Sequence, residues 1–222
     1  MKKKMYKETA YLLGLVLLAL GTVMTTRGEF GVGMVGAPAY VCYLAVSQWL
    51  PWFTFGMAEY LFQGLLLTGL CLFLGRFRFR YLWSAVTVLL YGLVLDLGMA
   101  VIPAVSQPLL RAVCYVSGLA VTTLGVAFMF HTYIPPAIYE LVVAELSRAK
   151  HWPLPRVKTL YDCASCALAV ILSLAIFGRF EGVSWGTVAC ALVNGTMIGA
   201  WGKLLEKHLQ FTNGTRLYEY LG

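Results

Sequence analysis

The chain has little charge and few of the residues on which enzyme motifs depend. Charged residues make up 12% of its 222 residues, and its three histidines, His131, His151 and His208, are far apart. It contains no P-loop, no G-x-S-x-G, no H-E-x-x-H and no cysteine and histidine set with zinc spacing. The sequence therefore predicts neither an enzyme nor a protein that holds a cofactor or a metal.

The six cysteines do not indicate a disulfide framework. Most of them lie inside apolar runs, where cysteine is usually a small packing residue. Cys163 and Cys166 form a C-x-x-C, which suggests redox or metal chemistry in soluble proteins, but no second pair and no nearby histidine accompanies it. Packing is the favoured interpretation.

Apolar residues are abundant: they make up 60% of the chain, and the mean hydropathy is +0.76. A membrane-spanning helix needs ~20 apolar residues, and in lipid only a helix satisfies the backbone of such a segment. No cleavage motif follows Met24, so the first run is interpreted as a retained span. The sequence predicts an all-α polytopic membrane protein with one transmembrane domain, residues 1–222. Its six apolar runs are 8–26, 56–75, 81–102, 110–130, 160–177 and 184–203.

The net charge of +7 reflects membrane orientation rather than nucleic-acid binding, because the basic residues form short clusters between the apolar runs. Lysine and arginine concentrate in cytoplasmic loops. The distribution predicts that both termini are cytoplasmic and that residues 206–222 form a cytoplasmic tail. The cytoplasmic clusters contain Lys2, Lys3, Lys4, Lys7, Arg76, Arg78, Arg80, Arg148, Lys150, Arg156, Lys158, Lys203, Lys207 and Arg216, whereas the other loops hold only Arg27, Arg111 and Arg179.

Two connections are longer than hairpins. Residues 28–55 are too apolar and aromatic for a solvated loop, which predicts a re-entrant or interfacial segment. Within it, the broken entry is expected at Gly31, Gly33, Gly36 and Pro38. Residues 131–158 predict an amphipathic helix at the cytoplasmic interface. The alternative for this helix is a connector that packs its apolar face on the bundle.

An internal repeat is visible. GLVLLALG at 14–21 and GLAVTTLG at 118–125 share one pattern, and G-R-F occurs at 75–77 and at 178–180. The repeats cover about 8–103 and about 110–205, with three spans each. Because three is odd, the second repeat enters the membrane inverted, which is characteristic of secondary transporters and related channels.

Ionisable side chains at membrane depth are candidates for function. Asp96, Glu59 and Gln63 are predicted at similar depth in the outer half of the bilayer, where they are able to meet. Asp162 is the repeat counterpart of Glu59. The alternative for Glu59 and Asp162 is helix capping or pairing with loop arginines or lysines, whereas for Asp96 we favour proton coupling or cation binding.

A second group of polar residues lies near the middle of the last span. Asn194 and Thr196 flank a glycine, and the repeat places them opposite Tyr91. They predict either a polar lining of the bundle or close helix packing, since glycine and small polar residues favour both.

The motifs together resemble the YczE/YyaS/YitT family of small bacterial membrane proteins. The likeness rests on G-x-G-x-x-G-A-P at 31–38, T-F-G at 54–56 with Gln63 after it, Y-G-x-x-x-D at 91–96, V-S-W-G-T at 183–187 and N-G-T at 194–196. The resemblance implies a multi-pass protein of the bacterial cytoplasmic membrane with a transporter-like bundle. It supplies no catalytic residue.

The sequence therefore predicts a small secondary-type transporter of an unknown solute, with membrane lipid as its surroundings and no nucleic acid as a partner. Two alternatives stay open. One is a substrate-binding or accessory subunit of an uptake system, and the other is a regulatory membrane protein without transport activity. A homo-oligomer is compatible with each of them.

Overall fold

The computed structural model describes residues 2–215, with the side chains of residues 80, 154 and 155 left aside. The predicted tail therefore lies partly outside the described residues, at 216–222 with Arg216. In the described part the chain folds into eight helices and two short strands. They are β1 Lys3–Tyr6, α1 Lys7–Arg27, α2 Ala37–Val46, α3 Phe55–Leu74, α4 Arg80–Val101, α5 Pro108–Phe130, α6 Ile138–Lys150, α7 Leu154–Phe177, α8 Trp185–His208 and β2 Leu209–Thr212.

Six of the described helices, α1, α3, α4, α5, α7 and α8, are long and apolar enough to cross a membrane. The prediction of six spans is confirmed to this extent. Helix α7 begins at Leu154, before the apolar run, and Lys158 and Asp162, 2.9 Å apart, stabilise this first part as an i,i+4 pair. Helix α8 extends past the apolar run to a basic last turn, which suits a helix C-terminus.

Helices α1 and α5 are antiparallel and their backbones touch. Gly14 lies opposite Gly125, and Gly21 lies opposite Gly118. A Cβ atom at Gly21 would lie 2.4 Å from the backbone nitrogen of Thr122, so only glycine permits this approach. The shared G-L-x-x-x-x-L-G pattern therefore forms the central seam of the bundle.

Both described chain ends lie at one end of the bundle, here called the terminal end. Strand β1 pairs in parallel with β2, in the register Lys3↔Leu209. The Glu8 carboxylate accepts hydrogen bonds from the backbone N–H groups of Gly214 and Thr215 at 3.1 and 2.9 Å. These contacts hold the start of α1 to the segment that follows α8. The strand pairing was not predicted, because its two four-residue partners lie at opposite ends of the chain.

The α3–α4 and α7–α8 hairpins turn in the same way. Gly75 and Gly178, the glycines of the two G-R-F motifs, each end a helix in the left-handed conformation, at φ 61° and 66°. The chain direction places the first hairpin at the terminal end and the second at the opposite end.

Two short helices, α2 and α6, lie between the long ones. Helix α2 packs against α3 and α7, and α6 packs against α3, α4 and α7. The first half of α6 packs inside the bundle, since Ile138, Tyr139, Leu141, Val142 and Val143 are all buried. Their apolar side chains fill the gap between three long helices, which agrees with the alternative of a connector packed on the bundle. The position of α6 at the cytoplasmic interface stays a prediction.

Candidate functional site

Glu59 on α3 is buried inside the bundle, with none of its surface exposed. Its Oε2 atom accepts hydrogen bonds from Gln63 Nε2 at 2.9 Å and from the Tyr139 hydroxyl at 2.8 Å. Its Oε1 atom has no hydrogen-bond partner, and no ion pair to Glu59 is present among the described side chains. Such a carboxylate is costly in an apolar interior unless a cation or a proton compensates it.

The N-terminal ends of both short helices reach this part of α3. The first backbone N–H of α6, that of Ile138, donates to Gln63 Oε1 at 3.1 Å. At α2, a Cβ atom built on Gly36 would lie 2.8 Å from Glu59 Oε1. Glu59 and Gln63 are one turn apart on α3, so adjacent side chains meet two helix N-termini, which carry partial positive charge. We call Glu59, Gln63, Tyr139 and the Gly36 backbone the Glu59 centre.

An acidic group adjoins the Glu59 centre. Glu140, the residue after Tyr139, faces Lys158 and Asp162 of α7. Desolvation raises the pKa of Glu140, and the charge of Lys158 opposes that rise. Burial, together with the charge of Glu59, raises the pKa of Tyr139 well above its ordinary value, so this hydroxyl remains a donor.

Tyr139 and Glu140 were not among the predicted site residues. They belong to the segment that the sequence placed at the interface. The available signal was the acidic residue one turn after the Pro-Pro-Ala sequence at 135–137, which marks the start of a helix.

Asp96 was predicted to be able to meet Glu59 and Gln63, and its hydrogen bonds are made at the start of the same helix. Its Oδ2 atom accepts a hydrogen bond from the Thr54 hydroxyl and its Oδ1 atom accepts one from the Gly56 N–H, both at 2.7 Å. These groups lie at the N-terminal end of α3, where an acidic side chain stabilises the unpaired N–H groups and the helix dipole. The structure therefore joins Glu59 to Gln63 directly, and it uses Asp96 to cap the same helix.

The polar residues of the second predicted group do not form one lining. Tyr91 is buried on α4 and donates to the Thr22 hydroxyl of α1 at 3.2 Å. Thr196 is exposed and donates to the Val193 carbonyl of its own helix at 2.7 Å. The side-chain oxygen of Asn194 is buried without a hydrogen-bond partner. Helix contacts account for Tyr91 and Thr196.

The segment that precedes α2 is held by the start of α8. The Thr187 hydroxyl donates to the Val32 carbonyl at 2.9 Å, and Gly31, at φ 102°, lies too close to Thr187 for any side chain. Gly33 has open space around its Cα atom, and Pro38 is buried in the first turn of α2. The four residues predicted at the broken entry, Gly31, Gly33, Gly36 and Pro38, thus lie where the chain turns back into the bundle before α2.

The segment that precedes α6 is held in a comparable way by α4. The Thr87 hydroxyl donates to the Pro135 carbonyl at 3.0 Å, and it lies 2.7 Å from the Tyr11 hydroxyl of α1. A threonine of the fourth and of the eighth helix therefore binds a carbonyl in each returning segment.

A cavity of about 740 Å³ lies at the end of the bundle opposite the termini. Its wall includes Val32 and Tyr40 near the first short helix and Val183 and Ser184 before α8. Two acidic side chains, Glu29 and Glu181, contribute to its polar surface.

An ionic cluster lies at the terminal end instead. The Glu145 side chain of α6 is only 2% exposed and lies 3.8, 3.5 and 3.1 Å from Arg76, Arg78 and Arg148. It fastens α6 to the α3–α4 hairpin. Among the described residues, this cavity and this ionic cluster thus lie at opposite ends of the bundle.

The sequence profile of a family of unknown function, DUF6198, matches residues 5–203. The chain belongs to DUF6198. The DUF6198 match contains helices α1 to α7, most of α8 and the whole Glu59 centre. No curated protein and no solved structure matches the chain. The roles of the residues in this DUF6198 protein must therefore be argued from their chemistry.

Proposed function

We propose that this DUF6198 protein is a small secondary-type transporter with the Glu59 centre as its polar site. The observation that carries the proposal is the meeting of two short-helix N-termini on adjacent side chains of α3. In transporters, the N-terminal ends of broken or half helices meet polar solutes near the middle of the bilayer. Glu59, Gln63 and Tyr139 are the groups through which a solute would be recognised, with Glu140 and Asp162 beside them.

The transporter is proposed to consist of two inverted halves of three spans each. Reciprocal contacts in the α1–α5 seam support this arrangement, because Gly14 meets Gly125 and Gly21 meets Gly118. Under the repeat, Gly14 corresponds to Gly118 and Gly21 to Gly125, so a two-fold axis in the membrane plane interchanges the two contacts. The matching left-handed glycines of the two hairpins, Gly75 and Gly178, give further support.

The proposed location is the bacterial cytoplasmic membrane, with both termini in the cytoplasm. The excess of lysine and arginine at the terminal end supports this orientation. Trp49 and Trp185, at the other end, are 85% and 87% exposed, as suits aromatic anchors at a membrane interface. The resemblance to the YczE/YyaS/YitT family supports the bacterial assignment. The cavity then opens outward, and the Glu145 cluster closes the cytoplasmic side.

Solute release from proteoliposomes tests the proposal. Vesicles that contain the purified protein are loaded with a mixture of bacterial metabolites, and the retained compounds are measured by mass spectrometry. We expect one chemical class to be lost with the native protein. Vesicles with the Gln63→Leu variant should retain this class of compound, because the substitution removes the hydrogen bonds to Glu59 and Ile138. Vesicles with Gln48→Ala, an exposed control, should lose it as the native protein does. Retention of every compound at the level of empty vesicles would contradict transport by the lone protein, and co-purification with an ATPase would then favour an accessory subunit.

A further inference from the structure

The free oxygen of Glu59 is unusual among the described carboxylates. Oε2 receives two hydrogen bonds, whereas Oε1 receives none although the side chain is completely buried. A buried polar atom without a partner is rare in folded proteins and calls for an explanation, such as a bound ion or a proton.

The small space beside Oε1 limits the size of a group that can bind there. The gap between Oε1 and the Gly36 backbone is too small for a methyl group, since a Cβ atom on Gly36 would lie 2.8 Å from Oε1. An organic cation therefore does not fit there. The described residues contain no group of three or more histidine, cysteine or acidic side chains arranged to hold a metal, so a metal ion at Oε1 would depend on neutral oxygen ligands. A proton requires neither space nor further ligands.

The side chains that face Glu59 supply no positive charge among the described residues. From α6 it is faced by Tyr139 and Glu140, from α4 by Tyr91 and from α7 by Tyr161, while α2 contributes the Gly36 backbone. All four of these side chains are acidic or phenolic. The nearby Lys158 is paired with Asp162 at 2.9 Å.

We propose, on the basis of the transporter function above, that Glu59 is a proton-binding site and that the proton is the coupling ion. The proton binds at Oε1. When it leaves, the electron pair of the O–H bond stays on the carboxylate, and the proton passes to a water molecule that reaches the centre from one side of the membrane. Uptake from the other side reverses the step.

The same proton controls the contacts between α3 and the short helices. The carboxylate strengthens the hydrogen bonds that Tyr139 and Gln63 donate and attracts the N-terminal end of α2. The neutral acid weakens these interactions and places an O–H group toward Gly36. Protonation therefore changes how firmly both short helices are held, which is the link that coupling requires.

Infrared difference spectroscopy of the protein in lipid nanodiscs tests the proposal. Spectra in acidic and alkaline buffer are compared for the carbonyl band of a buried, protonated carboxyl group. We expect this band in the native protein under acidic conditions and its loss under alkaline conditions. We expect Glu59→Gln to remove the Glu59 component of this band. We expect that component to remain in Glu140→Gln, which removes the neighbouring desolvated carboxyl group, and in Asp96→Asn, which alters the α3 cap.

Two further variants keep the test decisive. Glu59→Asp retains a carboxyl group, so we expect a band at a shifted frequency. Tyr139→Phe removes a donor that favours the carboxylate, so we expect the band to persist to higher pH. Spectra of Glu59→Gln that lose no component of the band, or absence of the band from the native protein, would overturn the proton site. A normal Glu59 band with no solute release from proteoliposomes would contradict the transporter function and the coupling while leaving the proton site intact.

Discussion

At the scale of single residues, the carboxylates of the long helices differ in the groups that compensate their charge. Asp162 is paired with Lys158, Asp96 binds the start of α3, and Glu59 has only neutral donors on one oxygen. Burial without compensation is expensive, and it persists in proteins chiefly where function needs it. Glu59 is therefore the residue on which the account of function rests.

Gly36→Ala tests the contact between Glu59 and α2. The added methyl group would lie 2.8 Å from Oε1, so we expect a loss of about 1–3 kcal/mol in the free energy of unfolding, measured by denaturation in detergent. Gly33→Ala is the matched control, because nothing lies within 4 Å of its Cβ position. In a Glu59→Ala background the cost of Gly36→Ala should largely disappear, and an unchanged cost there would contradict the contact.

Asp96→Ala tests the capping role. It leaves the Gly56 N–H and the Thr54 hydroxyl without their acceptor, so we expect a loss of about 1–3 kcal/mol. Asp96→Asn keeps one acceptor oxygen and should stay close to the native protein in thermal unfolding. If Asp96→Asn instead abolished solute release without loss of stability, the carboxylate would belong to the transport site and not only to the cap.

At the scale of helices, the α1–α5 seam and the two short helices define the bundle. The seam depends on glycines that allow backbone contact, and the short helices depend on threonines that bind carbonyls in the segments before them. In the seam, glycine allows two helix backbones to touch. In the segments before the short helices, threonine gives a backbone carbonyl the partner that it needs in an apolar interior.

Gly21→Ala tests the seam. Its methyl group would lie 2.3 Å from the Thr122 hydroxyl and 2.4 Å from its backbone nitrogen, so the helices must separate. We expect a loss of about 1–3 kcal/mol in stability, read from thermal unfolding in detergent. Gly199→Ala on α8, where nothing lies within 4 Å, should be neutral or slightly stabilising. Equal effects of the two substitutions would argue against backbone contact in the seam.

The long helices were predictable from sequence because lipid imposes one rule on each of them, a run of apolar residues. The pair Glu59 and Gln63 was predictable as well, since residues four apart share a helix face. Tyr139 and the role of Asp96 were not, because they depend on how α6 and α3 are placed by distant parts of the chain. The pairing of β1 with β2 has the same origin, since no local turn signals it.

At the scale of the whole molecule, the two ends of the bundle are unlike each other. One end holds the cavity beside α2, and the other holds the Glu145 cluster that fastens α6 to the α3–α4 hairpin. The proposed transporter, with its two proposed inverted halves, would have such an asymmetric arrangement on one side of its cycle. The same halves should therefore reach a second state in which the ends exchange their roles.

Distances measured by double electron–electron resonance test this central claim most directly. One spin-label pair replaces Gln48 and Arg179 at the cavity end, and another replaces Phe79 and Ala149 at the terminal end, in a background without the native cysteines. We expect two distance populations for each pair, with a buffer change from acidic to alkaline shifting the two pairs in opposite directions. The Glu59→Gln variant should abolish that shift. A single distance at each end that no condition changes would contradict the account.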